Sequence, residues 1–166
     1  MDASQSEVYE RLINASIRFV SYRQRSEKEI RDFLAKTLLR HHTTAPDVSL
    51  HVIERLRELG YVNDDAFAAW WVSQRTGRKS KGERAIRMEL MQKGIDPSCI
   101  ERAIRQGMTG ERSEKELAKA EVMKKRERWS ALPALMRKKK MVEYLSRRGF
   151  SSDTIWSVVD DAPETV

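Results

Sequence analysis

Residues 86–104, IRMELMQKGIDPSCIERAI, and residues 141–159, MVEYLSRRGFSSDTIWSVV, align without a gap at an offset of 55. Ile86, Leu90, Gly94, Ile95, Ile100, Ala103 and Ile104 fall on Met141, Leu145, Gly149, Phe150, Ile155, Val158 and Val159. Both copies run Leu-x-x-basic-Gly-apolar, with an Ile five residues later. Apolar residues three or four apart describe one face of a helix. A glycine behind the last basic residue ends that helix in the left-handed conformation, where a Cβ is unfavourable. The apolar residue after it plugs the turn, and a second helix starts at Pro97 or at Ser151–Ser152.

Working outward, each pair has a helix in front of it. Asn63, Asp64 and Asp65 place a cap and acids in a first turn, followed by Phe67, Trp71 and Val72 at helical spacing. Ser113 and Glu116 form a capping box ahead of Leu117, Ala120 and Met123. A looser third round lies at the N-terminal end, with Leu12, Ile13, Ile17, Phe19 and Val20 in its first helix. Ser26 and Glu29 cap its second, lined by Ile30, Phe33, Leu34 and Leu38. After a connection over His41–Pro46, its third carries Val48, Val52, Ile53, Leu56 and Leu59 and stops at Gly60. Strand alternation is convincing nowhere. The expected fold is all-α: three tandem three-helix repeats of about fifty residues, spanning 1–60, 61–108 and 109–166. Each unit is too small to bury its apolar face alone, so the units stack into an elongated, curved array.

Composition fits that shape. The chain has 166 residues, 34% of them charged and 40% hydrophobic. It is too apolar for disorder and too charged for one deeply buried sphere. Seven glycines and four prolines exclude collagen-like and low-complexity classes and argue against a turn-rich β-sandwich. One cysteine, Cys99, excludes an internal disulfide framework and points to the cytoplasm. The longest uncharged apolar run, Ala66–Val72, is far short of a membrane span. Asp2, Glu7 and Glu10 stand where a signal peptide would be apolar.

The net charge of +7 points to an anionic partner, nucleic acid first and an acidic protein surface second. The excess sits in two runs. Arg75, Arg78, Lys79, Lys81, Arg84 and Arg87 face only Glu83. Lys124, Lys125, Arg126, Arg128, Arg137, Lys138, Lys139, Lys140, Arg147 and Arg148 face only Glu127 and Glu143. Turned at 100° per residue, the helix after Pro133 puts Leu135, Met141, Val142 and Leu145 on one arc. Arg137, Lys140, Tyr144, Arg147 and Arg148 form a basic ridge opposite. The alternative reading of both runs is a solvated helix face.

No constellation of residues carries catalysis. His41, His42 and His51 lack zinc-type spacing, and Cys99 reads as a buried structural thiol. There is no Gly-rich phosphate loop and no nucleophile motif. Asp64–Asp65 reads as capping rather than a catalytic dyad. No enzyme activity and no cofactor are expected. Phe67 and Trp71 share a core face, with Trp70 at a seam or exposed. Trp129 packs under a linker or, alternatively, stacks on a base. Trp156 reads as core.

Five blocks in order resemble the RecX family of bacterial recombination regulators. They are Arg25-Ser26-Glu27 with Glu29, Ile30 and Leu34; then Gly60-Tyr61-Val62-Asn63-Asp64 with Phe67-Ala68, Trp71-Val72 and Arg75. Gly82, Ile86, Glu89-Leu90 and Lys93-Gly94-Ile95 follow, then Ile100-Glu101 with Ala103-Ile104. Tyr144-Leu145, Arg147-Arg148-Gly149-Phe150 and Ile155 close the set. The resemblance covers nearly the whole chain.

The resemblance implies a regulatory protein that lies along the groove of RecA–DNA filaments. Such proteins restrain filament growth, strand exchange, ATP hydrolysis and the coprotease activity of the SOS response. The family has no catalytic residues to carry over. The implied partners are the RecA filament and, more weakly through phosphates, single- and double-stranded DNA, with no membrane and the chain a monomer. A curved basic array contacting several subunits gains avidity. The alternative from another class is a general helical nucleic-acid-binding protein that acts without RecA.

Overall fold

The computed structural model describes residues 3–41 and 46–161, and every regular element among them is helical. The helices are α1 (Ala3–Ser21), α2 (Glu27–Arg40), α3 (Pro46–Glu58), α4 (Asp64–Arg75), α5 (Glu83–Gln92) and α6 (Pro97–Gly107). After a 3-10 turn at Gly110–Arg112 come α7 (Glu114–Met123), α8 (Arg126–Ser130), α9 (Ala134–Arg147) and α10 (Ser152–Asp160). Residues 42–45 of the expected connection lie outside the described residues. No described helix is long and apolar enough to cross a membrane.

The caps form where the sequence predicts them. Ser26 and Glu29 make the reciprocal capping box of α2. Asn63 Oδ1 accepts from the Ala66 N–H at the start of α4. Ser151 caps α10, and Ser113 accepts from the Glu116 N–H of α7, but the expected box is only half formed because the Glu116 side chain pairs with Lys119. α6 gains a cap not expected from the sequence, Asp96 ahead of Pro97. Gly94 and Gly149 take φ of 77° and 78°, the left-handed stop required of both repeat copies.

Residues group into two compact bodies, Met1–Phe67 with Lys93–Ile95 and Ala68–Gln92 with Asp96–Val166. In the first, α1, α2 and α3 bury Leu12, Val20, Ile30, Leu34, Val52 and Leu56. Phe19 stacks on Phe33 with ring centroids 4.3 Å apart. In the second, Val72, Ile86, Leu90, Ile100, Leu145 and Val159 are all within 1% of full burial. Fully burying such side chains stabilises by about 1.5–3 kcal/mol each.

Several expectations need correction. Leu135 is 80% exposed, because α9 begins at Ala134 and its first turn projects past the core. Trp156 is exposed, since Ile155, Val158 and Val159 take the inner face of α10 and Trp156 lies 100° around from Ile155. Leu59 is also exposed, and Cys99 is only half-buried beside Arg102. In α7 the inward face is Glu114, Leu117, Ala118, Glu121 and Val122, whereas Ala120 and Met123 face out. Two carboxylates on that face hid it from a reading based on apolar residues alone.

One of those carboxylates, Glu114, belongs to a joint that occurs twice, once in each body. Asp64, the first residue of α4, accepts from the backbone N–H of Glu27, the first residue of α2, at 2.9 Å. Glu114, the first residue of α7, accepts from the backbone N–H of Glu83, the first residue of α5, at 2.9 Å. At the same joints Ser26 Oγ donates to the Lys93 carbonyl at 2.8 Å, and the Gly82 N–H to the Arg148 carbonyl at 3.0 Å. Lys93 and Arg148 are the residues just before Gly94 and Gly149. Asp64 therefore does cap a helix, but α2 rather than its own.

Candidate nucleic-acid and filament interface

The two basic runs, far apart in sequence, meet at Glu121. Only 2% of this residue is exposed. Its carboxylate accepts from the Ser80 N–H at 3.1 Å, Lys124 Nζ at 2.6 Å and the Tyr144 hydroxyl at 2.7 Å. Arg148 Nη2 lies 3.5 Å away. Burial pushes the Glu121 pKa up, but the bonds from Lys124 and Tyr144 and the Arg148 charge outweigh it. The group therefore sits below the usual carboxylate range and stays ionised. Tyr144 moves the other way, raised by burial and by its bond to Glu121.

A second carboxylate, Glu89, gathers the first run. It accepts from Trp71 Nε1 at 2.8 Å and Arg75 Nε at 2.7 Å, and pairs with Lys81. Arg75 also lies over the Trp71 ring, 4.2 Å from its centroid. Bonds from these donors overcome the burial that raises the Glu89 pKa, and hold it low. A third carboxylate, Glu114, buried like Glu121, ties α10 in through Ser151 and Thr154. Beside it, burial and the Glu114 charge raise the pKa of Glu83.

These acids divide the basic residues into two kinds. Arg75, Lys81, Lys124 and Arg148 are held against Glu89 or Glu121, and Tyr144 is turned to Glu121. The basic ridge of α9 is thus narrower than its helical arc: Tyr144 and Arg148 turn inward. Arg87 forks onto Glu101 at 2.8 and 3.0 Å, and Lys140 pairs with Glu143 at 3.1 Å. Lys125 is half-buried, with Nζ 5.6 Å from the Tyr144 ring centroid. Arg137 is half-buried on a cleft of about 270 Å³ that Arg126 also lines, over Val122, Trp129 and Met141.

Arg78, Lys79, Arg84, Arg126, Arg128 and Arg147 remain exposed, and none is ion-paired among the described residues. With Lys139, also exposed, these are the exposed cations of the two runs whose charge no carboxylate among the described residues takes up by pairing. Trp129 is 7% exposed, and its ring system packs edge-to-face with Tyr144, the centroids 5.7 Å apart. It packs rather than offering a face to a base. His41 and His51 are exposed, His42 lies outside the described residues, and the described residues hold no cluster of three metal-ligating side chains.

Sequence reasoning missed Glu89, Glu114 and Glu121, the acids that organise the basic surface. The signal for Glu114 was available: like Asp64, it opens the first helix of a unit. Glu121 follows it by seven residues, on the same helix face.

Residues 63–104 match the family model described as the second three-helix domain of RecX, and residues 113–159 match the third. The chain is 33% identical over 147 residues to the regulatory protein RecX of Bacillus subtilis, covering 89% of this chain and 53% of that one. It therefore spans about half the length of that relative. To the regulatory protein RecX of Mycolicibacterium smegmatis it is 32% identical, covering 88% of this chain and 76% of that one. The crystal structure of RecX from Lactobacillus salivarius superposes with a TM-score of 0.79 at 25% identity, over 94% of this chain and 97% of that one. With two domain models matched in sequence order and the fold shared over nearly its whole length, this chain belongs to the RecX family.

Proposed function

We propose that the chain is a monomeric, cytoplasmic regulator that binds RecA–DNA filaments and restrains RecA recombinase, ATPase and coprotease activity. It acts by binding rather than by catalysis, in recombination, repair and the SOS response. The observation that supports this reading most is the convergence of two distant basic runs on one surface, in a chain of the RecX family. Arg78 and Lys79 stand on that surface beside Lys124, whose Nζ reaches the Arg78 carbonyl at 2.7 Å. Exposed cations of this kind suit nucleic-acid phosphates, whose neutralisation releases counterions.

The test is RecA ATP hydrolysis on single-stranded DNA, with this protein at concentrations too low to coat the DNA. Inhibition there supports a filament regulator. Inhibition that sets in only when the DNA itself is saturated identifies a general nucleic-acid-binding protein.

A further inference from the structure

The connection between α4 and α5 carries Arg78 and Lys79, and its backbone is gripped from outside on either side of Lys79. Lys124 Nζ donates to the Arg78 carbonyl at 2.7 Å. The Ser80 N–H donates to Glu121 at 3.1 Å, and Arg148 Nε donates to the Ser80 carbonyl at 2.9 Å. Within the connection, Ser80 Oγ donates to the Gly77 carbonyl at 2.7 Å and the Lys81 N–H to the Arg75 carbonyl at 2.8 Å. Both outside donors, Lys124 and Arg148, are themselves ion-paired to Glu121.

One buried carboxylate therefore stands behind these three holds on Arg78 and Ser80; a fourth, from the Gly82 N–H to the Arg148 carbonyl, does not pass through it. Glu121 accepts one of the three directly and orients the cations that make the other two. The Arg78 and Lys79 side chains, by contrast, have no bond among the described residues and point their charge outward. Ordering a flexible loop at the moment of binding costs affinity, and a loop already held in shape avoids that cost.

We propose that Glu121 is a positioning residue. It holds the Arg78–Lys79 connection in one conformation, so that both cations meet the phosphate backbone of the nucleic acid in the filament. This rests on the proposed function for the filament, but the contact with phosphate can be measured on DNA alone.

The experiment is a double-mutant cycle read by binding to a fluorescent oligothymidylate, with Glu121→Gln and Arg78→Ala/Lys79→Ala as its two arms. Glutamine keeps the size of the side chain and an acceptor for the Ser80 N–H while removing the charge that orients Lys124 and Arg148. In the unmutated chain the loop substitution should weaken binding about tenfold. In the Glu121→Gln background, where the loop is already released, it should weaken binding by no more than about twofold. Amide hydrogen exchange reads the same hold without DNA: the Ser80 N–H should exchange at least about tenfold faster in Glu121→Gln.

Should Glu121→Gln prove unstable, Tyr144→Phe removes one donor to Glu121 at a half-buried position. Its coupling to the loop substitution should have the same sign. Multiplicative effects of the two arms overturn the proposal, as does a loop variant that binds DNA like the unmutated chain. RecA inhibition by the unmutated chain is scored separately, so the functional reading and the role of Glu121 fail by different measurements.

Discussion

Gly82 and Phe150 touch backbone to backbone. A Cβ built on Gly82 would lie 2.2 Å from the Phe150 Cα and 2.3 Å from the Gly149 carbonyl oxygen. That approach lets the Gly82 N–H reach the Arg148 carbonyl at 3.0 Å. The atoms in the way are main chain, so no side-chain rotation relieves them. Gly82→Ala should destabilise by about 3 kcal/mol or more, the upper range for overpacking. Gly77→Ala, whose nearest neighbours are 3.9 Å away, should stay within about 0.5 kcal/mol. Urea unfolding of the two variants checks the contrast, and equal midpoints would contradict it.

Leu90 and Leu145 occupy equivalent places before the two glycine stops, and both are 0% exposed. Either one changed to Ala should cost about 2–5 kcal/mol, with the spread set by how far each site collapses. Thermal melts that leave both variants unshifted would contradict their burial.

Arg147 and Arg148 are neighbours with opposite roles. Arg147 is exposed, whereas the Arg148 side chain is 21% exposed and bound to Ser80 and Glu121. Arg147→Ala should leave stability within about 0.5 kcal/mol and lower the salt slope of single-strand binding by about 0.7. Arg148→Ala should cost about 2–3 kcal/mol, because it leaves a buried carbonyl and part of a buried carboxylate without a donor. Denaturation midpoints and salt titrations on both variants separate the two roles.

Glu29 supplies a pH test. Its carboxylate, with 15% of the side chain exposed, takes Arg23 Nη2 at 2.8 Å and Lys93 Nζ at 2.7 Å. Burial works against ionisation, but these bonds win and bring its pKa from 4.5 to about 2. A carboxylate depressed on folding contributes stability above its unfolded pKa and loses it as pH falls towards the folded value. The stability gap between the unmutated chain and Glu29→Gln should thus be about 2–3 kcal/mol at pH 7 and close between pH 5 and 2. A gap that stays constant over that range would show that Glu29 gains no net charge stabilisation.

Much of the fold is legible in the sequence because helix ends are written locally. Ser26 with Glu29, Pro97 and Gly94 each act within one turn, so their reading needs no knowledge of neighbours. Faces are harder. Leu135 and Trp156 look like core by residue type but lie off the buried line, and Glu114 and Glu121 look like surface but lie on it. The basic surface shares this limit. Which cations are exposed depends on carboxylates that reach them from other helices, such as Glu121 to Arg148 across 27 positions. Charge runs show where cations are dense, but the free ones are chosen by tertiary pairing.

The amide of Glu27 finds its acceptor in Asp64, and the amide of Glu83 finds its acceptor in Glu114. The middle helices of the first two units, α2 and α5, thus each borrow a cap from the start of the following unit, whereas α9, in the third unit, starts behind Pro133 without a side-chain cap. A tandem gene duplication of one whole unit inherits a donor at one end and an acceptor at the other, so the new junction is matched from its first generation. A cut that removes part of a unit leaves one helix start without its carboxylate. An array built this way tolerates the gain or loss of a whole period better than that of a fraction of one.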